Sequence, residues 1–138
     1  MKEHTRVAIA YIAGRIISKV QSNTIYDFSK SSHKNISGQE YDNRVNVYGY
    51  DKNCHISGNS SGSGLKYRLY HYGDSNYISL EIRDNQFKGC DYETSYYFSG
   101  TIQNRSISLY DYETSSFYNY SIWDAILSMQ TIYREISI

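Results

Sequence analysis

The chain has no proline in 138 residues. Proline removes a ladder donor and is confined to sheet edges, so its absence suits long uninterrupted hydrogen-bonded strands. Only two cysteines occur, Cys54 and Cys90, and no CxxC pair. That excludes a disulfide framework and the paired-cysteine zinc motifs. Charge of either sign is sparse and balanced, with 14 basic and 14 acidic residues. Nucleic acid and anionic membranes select a basic excess, so neither is an expected partner. Long apolar runs are missing too. The stretch at residues 7–13 is far shorter than a membrane-spanning helix requires. The first residues lack the basic, apolar and small-residue sequence of a secretion signal, so a cytoplasmic, reduced protein is the expectation. The tripeptides NIS, NSS, NRS and NYS then carry no weight as glycosylation sites.

What is abundant is tyrosine, present 17 times. The tyrosines are periodic. Five copies of one phrase read YDFSKSSHKNISG from Tyr26, YGYDKNCHISG from Tyr48, YHYGDSNYISL from Tyr70, CDYETSYYFSG from Cys90 and YDYETSSFYNY from Tyr110. Successive starts are 22, 22, 20 and 20 residues apart. Each copy predicts two short strands around a turn, because turn-forming KNC, GDS and ETS separate aromatic and apolar stretches. Short connections make consecutive strands antiparallel. The prediction is mainly β: a single domain, residues 1–138, with an antiparallel meander of about ten strands over residues 26–122. Five hairpins in series favour a closed or nearly closed barrel, which removes exposed strand edges.

Alternation assigns the faces. Val45, Val47, Leu65, Leu69, Ile78, Leu80, Ile82, Phe87, Phe98, Ile102, Ile107 and Leu109 fall on a core face. Tyr48, Tyr50, Tyr70, Tyr72, Tyr92, Tyr110 and Tyr112 fall on the other, together with Ser57, Ser79, Ser99 and Thr101. Those rings form a ladder across neighbouring strands. The same face offers a binding surface for a sugar, a small molecule or a protein partner, since rings stack and hydroxyls hydrogen-bond.

Two helices flank the repeats. Residues 3–20 carry an apolar arc of about 220°, where a surface helix needs a stripe of roughly 100°. Such a helix must be covered on two sides. It either plugs the barrel or meets a second copy through Val7, Ala10, Gly14 and Ile17. Residues 122–135 read as an amphipathic helix, with capping-box spacing in SIWD and Trp123 as its core anchor.

The residue between the paired aromatics of each copy falls on the core face. In order these are Asp27, Gly49, His71, Asp91 and Asp111. Charged groups there are costly unless paired or solvated. Each aspartate precedes a turn and can accept its N–H groups, which is the simpler role. Alternatively Asp27, His71, Asp91 and Asp111 converge at one rim as a small-molecule or acid–base site. His33 and His55 share a position with Tyr77, Tyr97 and Phe117, so that position requires a ring rather than a ligand. With no HExxH spacing, P-loop or GxSxG elbow, no metal, cofactor or catalytic residue is expected.

The phrases VAIAYIAGR, NVYGYDKNCHISG, LYHYGDSNYISLEI and LYDYETS resemble a group of small uncharacterised bacterial proteins with YDY-type repeats. The resemblance spans nearly the whole chain and implies no activity. The function expected from the residues is a non-enzymatic binding or interaction module that self-associates. The alternatives are a site at the Asp/His rim, or an assembly protein built through the N-terminal helix.

Overall fold

A computed structural model describes residues 1–41, 43–61 and 65–123. One helix, α1 (Glu3–Ser18), precedes ten strands: β1 (Thr24–Asp27), β2 (Ser32–Tyr41), β3 (Arg44–Gly49), β4 (Cys54–Ser60), β5 (Lys66–His71), β6 (Asn76–Arg83), β7 (Gln86–Asp91), β8 (Tyr96–Gln103), β9 (Ser106–Asp111) and β10 (Ser116–Ile122). All pairings are antiparallel between sequence neighbours, and β1 pairs with β10 to close the barrel. The closing register sets Ile25 against Ile122, Tyr26 against Ser121 and Asp27 against Tyr120. The protein is therefore a closed ten-stranded meander barrel, as its repeats predict. The expected C-terminal helix lies outside the described residues apart from its first two positions. Ile122 belongs to β10, and Trp123, expected as that helix's core anchor, is half exposed.

The five hairpins repeat in detail. Each upper turn has four residues, and its last, at Ser31, Asn53, Ser75, Ser95 and Ser115, takes the left-handed conformation. Small polar residues tolerate that φ, often by bonding the local backbone. The first turn residue donates its N–H to the return strand of the preceding hairpin. Thus Tyr50 bonds Asn35, Tyr72 bonds His55, Tyr92 bonds Tyr77 and Tyr112 bonds Tyr97. Phe28 bonds Asn119 in the same manner, so the fifth hairpin continues into the first. Curvature comes partly from Gly58 and Gly89. A Cβ on either would lie 2.0 Å or less from a carbonyl oxygen of the adjacent strand.

The barrel is filled by α1. Eight consecutive residues, 7 to 14, are buried, which is more than two turns and so every face of the helix. The helix contacts β1, β2, β3, β8, β9 and β10. It runs from one rim, where Lys2 Nζ reaches Asp74 at 2.7 Å, to the other, where Ser18 Oγ donates to Asn104 O at 2.7 Å. Of the two covers expected for its apolar arc, the barrel interior is the one that surrounds α1. Val7, Ala10 and Gly14 are enclosed by the protein's own strands, and Ile17 packs partly buried against the same core. The broad apolar arc is satisfied within one chain. Tyr11 anchors the lower end. Its hydroxyl donates to Ser22 O and accepts from Arg15, which also reaches Gly38 O.

Core and surface faces follow the alternation with one exception. Leu65 is exposed, because it sits in the bend before β5, and Tyr67 takes the first inward position instead. The outward mid-level positions are polar, among them Asn46, Ser57, Arg68, Ser79, Lys88, Ser99 and Asn119. No helix among the described residues is long and apolar enough to cross a membrane.

Candidate functional site

The upper rim is the end that carries the four-residue turns. Asp27, His71, Asp91 and Asp111 stand at this level and point inward, each at most 1% exposed. The three aspartates share one local role. Oδ1 of Asp27 accepts from Ser29 N at 2.9 Å, that of Asp91 from Glu93 N at 3.1 Å, and that of Asp111 from Glu113 N at 3.0 Å. His71 does the same with an imidazole, its Nδ1 accepting from Asp74 N at 3.1 Å. The simpler expectation, turn capping, thus describes all four.

The second oxygens differ. Oδ2 of Asp111 lies 3.2 Å from Arg6 Nη1 and 3.3 Å from the terminal amine of Met1. Oδ2 of Asp27 and of Asp91 is buried without a protein partner. Burial pushes the Asp91 carboxyl above its ordinary range, and the Glu93 N–H bond opposes this only in part. The carboxylates surround the amino end of α1, whose dipole favours negative charge there. They do not gather into one chelating group.

Gly49 is the departure. It holds the inward rim position that Asp27, His71, Asp91 and Asp111 hold in the other copies, and a Cβ built on it meets nothing within 4 Å. The missing side chain leaves room, and a cavity of about 580 Å³ opens beside it. Val7, Ala8, Val47 and Ile56 give this cavity an apolar wall, while Lys2, Lys34, Lys52, Glu3 and Asp51 line it with charge. Lys34 is held by Glu3 at 3.5 Å and Asp51 at 3.6 Å. Lys52 makes no ion pair among the described residues.

The neighbouring hairpins also depart from the repeat. Cys54 opens β4 where β2 and β10 begin with Ser32 and Ser116. His71 stands on the adjacent strand, where Ile56 is its register partner. His4 arrives from the first turn of α1, its ring edge-on to that of His71 with centroids 5.2 Å apart. One ligand atom from each of His4, Cys54 and His71 lies within 4.8 Å of the other two. Burial lowers the pKa of both histidines and raises that of the Cys54 thiol. Asp74 lies beside His71. Its Oδ1 binds Lys2, and its buried Oδ2 lies 3.7 Å from His71 Nε2.

The tyrosines lie outside. Tyr50, Tyr72, Tyr92 and Tyr112 are more than half exposed, while Tyr48, Tyr70 and Tyr110 are half-buried between neighbours. Tyr48, Tyr70 and Tyr110 each touch two rings of their own hairpin, at 4.7–5.0 Å between centroids. His33 and His55 pack on Tyr26 and Tyr48 at 4.9 Å and 4.7 Å, the ring role their repeat position requires. The cluster of His4 and Cys54 with His71 is what sequence reasoning missed. Its one signal was the break of pattern at Gly49, Cys54 and His71 in adjacent copies. No family model, curated protein or solved structure matches the chain.

Proposed function

We propose that the protein is a non-enzymatic small-molecule-binding barrel, with its ligand in the upper-rim cavity beside Gly49. The observation that carries this reading is the cavity itself, which exists where one repeat lacks the side chain the other four supply. Its volume of about 580 Å³ lies within the span typical of ligand sites, and it joins an apolar wall to a few convergent charges. Lys52 and the amino end of α1 favour an acidic head group, and Val7, Ala8, Val47 and Ile56 suit an apolar body. In the cytoplasm, the compartment expected for this chain, both thiols would stay reduced.

Anilinonaphthalene sulfonate has this chemistry and serves as the probe. Its fluorescence should rise on binding the native protein. A Cβ at position 49 meets nothing within 4 Å, so Gly49→Leu directs its side chain into the open space and should abolish the signal while leaving the unfolding midpoint in place. Undiminished probe binding by Gly49→Leu would remove the cavity as the site. A second reading keeps the Tyr/Ser exterior as the binding or self-associating face, favoured by the exposed rings of Tyr72, Tyr97 and Phe117. On that reading Tyr72→Ser with Tyr110→Ser abolishes binding, and Gly49→Leu has no effect.

A further inference from the structure

We propose that His4, Cys54 and His71 form a zinc site at the edge of the rim cavity, which His4 and Cys54 line. Three different elements, α1, β4 and β5, bring these side chains together. The donor atoms lie within 4.8 Å of one another, and a tetrahedral zinc would hold them about 3.3–3.6 Å apart. Closing the difference requires the three side chains to move toward one another. Imidazole nitrogen and thiolate sulfur are both donors that zinc takes, and three protein ligands leave its fourth tetrahedral position over. Asp74 Oδ2 or water can occupy that position.

Two further observations support the site. His71 Nε2 and Asp74 Oδ2 are both buried without a hydrogen-bond partner, and they face each other across 3.7 Å. Groups of this kind are ordinarily satisfied, so each indicates something that belongs between or beside them. The internal repeat supplies the other argument. The inward rim position needs only a turn-capping acceptor, which aspartate provides in three copies. A histidine there, next to the one cysteine that opens a strand, is not needed for the fold.

Binding has a defined proton balance. The Cys54 thiol releases its proton to solvent and becomes the thiolate ligand. The neutral His71 ring carries its proton on Nε2, since Nδ1 accepts from Asp74 N. Coordination through Nε2 moves that proton to Nδ1, and the Asp74 N–H gives up its acceptor. The turn between β5 and β6 must therefore adjust when the ion binds. The cavity is shared with the ligand proposed above, but zinc binding requires no organic molecule.

The test is titration of the metal-free protein with cobalt(II), followed by displacement with zinc. One equivalent of cobalt should produce a near-ultraviolet thiolate charge-transfer band and the visible bands of a tetrahedral ion. Zinc should then abolish both. Cys54→Ser installs the residue of β2 and β10, and should eliminate the charge-transfer band. His71→Asn keeps an oxygen to cap the turn, and should weaken binding at least about tenfold. Cys90→Ser should change nothing. Absence of the charge-transfer band in the native protein, or its survival in Cys54→Ser, would overturn the site. Gly49→Leu retains all three ligands, so its loss of the organic probe with cobalt binding intact would separate the two proposals.

Discussion

Asp91 and Asp111 occupy one position in consecutive repeats, twenty residues apart, and cap identical Tyr–Glu–Thr–Ser turns through Oδ1. Only Asp111 has cations on its other oxygen, Arg6 at 3.2 Å and the Met1 amine at 3.3 Å. The repeat sets the turn, and the helix inside the barrel makes the copies unequal. Arg6, from the first turn of α1, and the Met1 amine reach Asp111, whereas on the Asp91 turn Lys2 reaches only the exposed carboxylate of Glu93.

Opposite effects follow for the same substitution. Asp91→Asn keeps the capping oxygen and removes an unpartnered buried charge, so stability at neutral pH should rise by about 1 kcal/mol. Asp111→Asn strips Arg6 and the amine of a buried partner, and should cost roughly 3 kcal/mol. Urea unfolding of the two variants measures both. Equal effects would mean that the helix does not distinguish the two sites.

The pH dependence at Asp91 has a definite sign. Its folded carboxyl holds a proton more tightly than the unfolded one, because burial disfavours the charge. The contribution to stability is thus fully present below the unfolded value, 3.8, and is lost as pH rises through the raised folded value. Asp91→Asn lacks this loss. The advantage of the variant over the native protein should grow from about pH 4 to about pH 7. A constant difference across that range would show that the carboxyl titrates as though solvated.

The barrel was legible because period-two alternation and a twenty-residue repeat are local signals, and Val45, Val47, Ile78, Leu80 and Ile82 point inward as their parity requires. The position of α1 was not. An apolar arc seeks cover, and the arc is the same whether strands or a second copy provide it. His4 escaped for the same reason. It meets Cys54 and His71 only once the helix is inside, and no spacing in the chain encodes that meeting. Gly49 and His71 were visible as breaks in a rim of aspartates, but without the third dimension a glycine shows no cavity.

Placement of α1 inside the barrel predicts the behaviour of Ala10. Its side chain is fully enclosed, so Ala10→Leu should overpack the interior and cost about 1–3 kcal/mol, with no change in oligomeric state. Urea unfolding and sedimentation velocity provide the two readings. A variant of native stability and reduced mass would return the helix to an interface.

The exterior rings should divide by neighbour count. Tyr110 touches both Tyr112 and Phe117, at 4.7 Å in each case, and is itself half-buried. Phe117 is 66% exposed, and Tyr110 is its one aromatic ring partner among the described residues. An edge-to-face pair adds about 0.5–1.5 kcal/mol beyond the area it buries. Tyr110→Ser forfeits two such pairs together with buried area, and Phe117→Ser forfeits one pair and little area. The first should therefore lower stability by at least about twice as much as the second. Thermal unfolding of both variants decides the matter. If they cost the same, the ladder is not what fixes Tyr110, and a ligand or partner on that face becomes the better reason for so many rings.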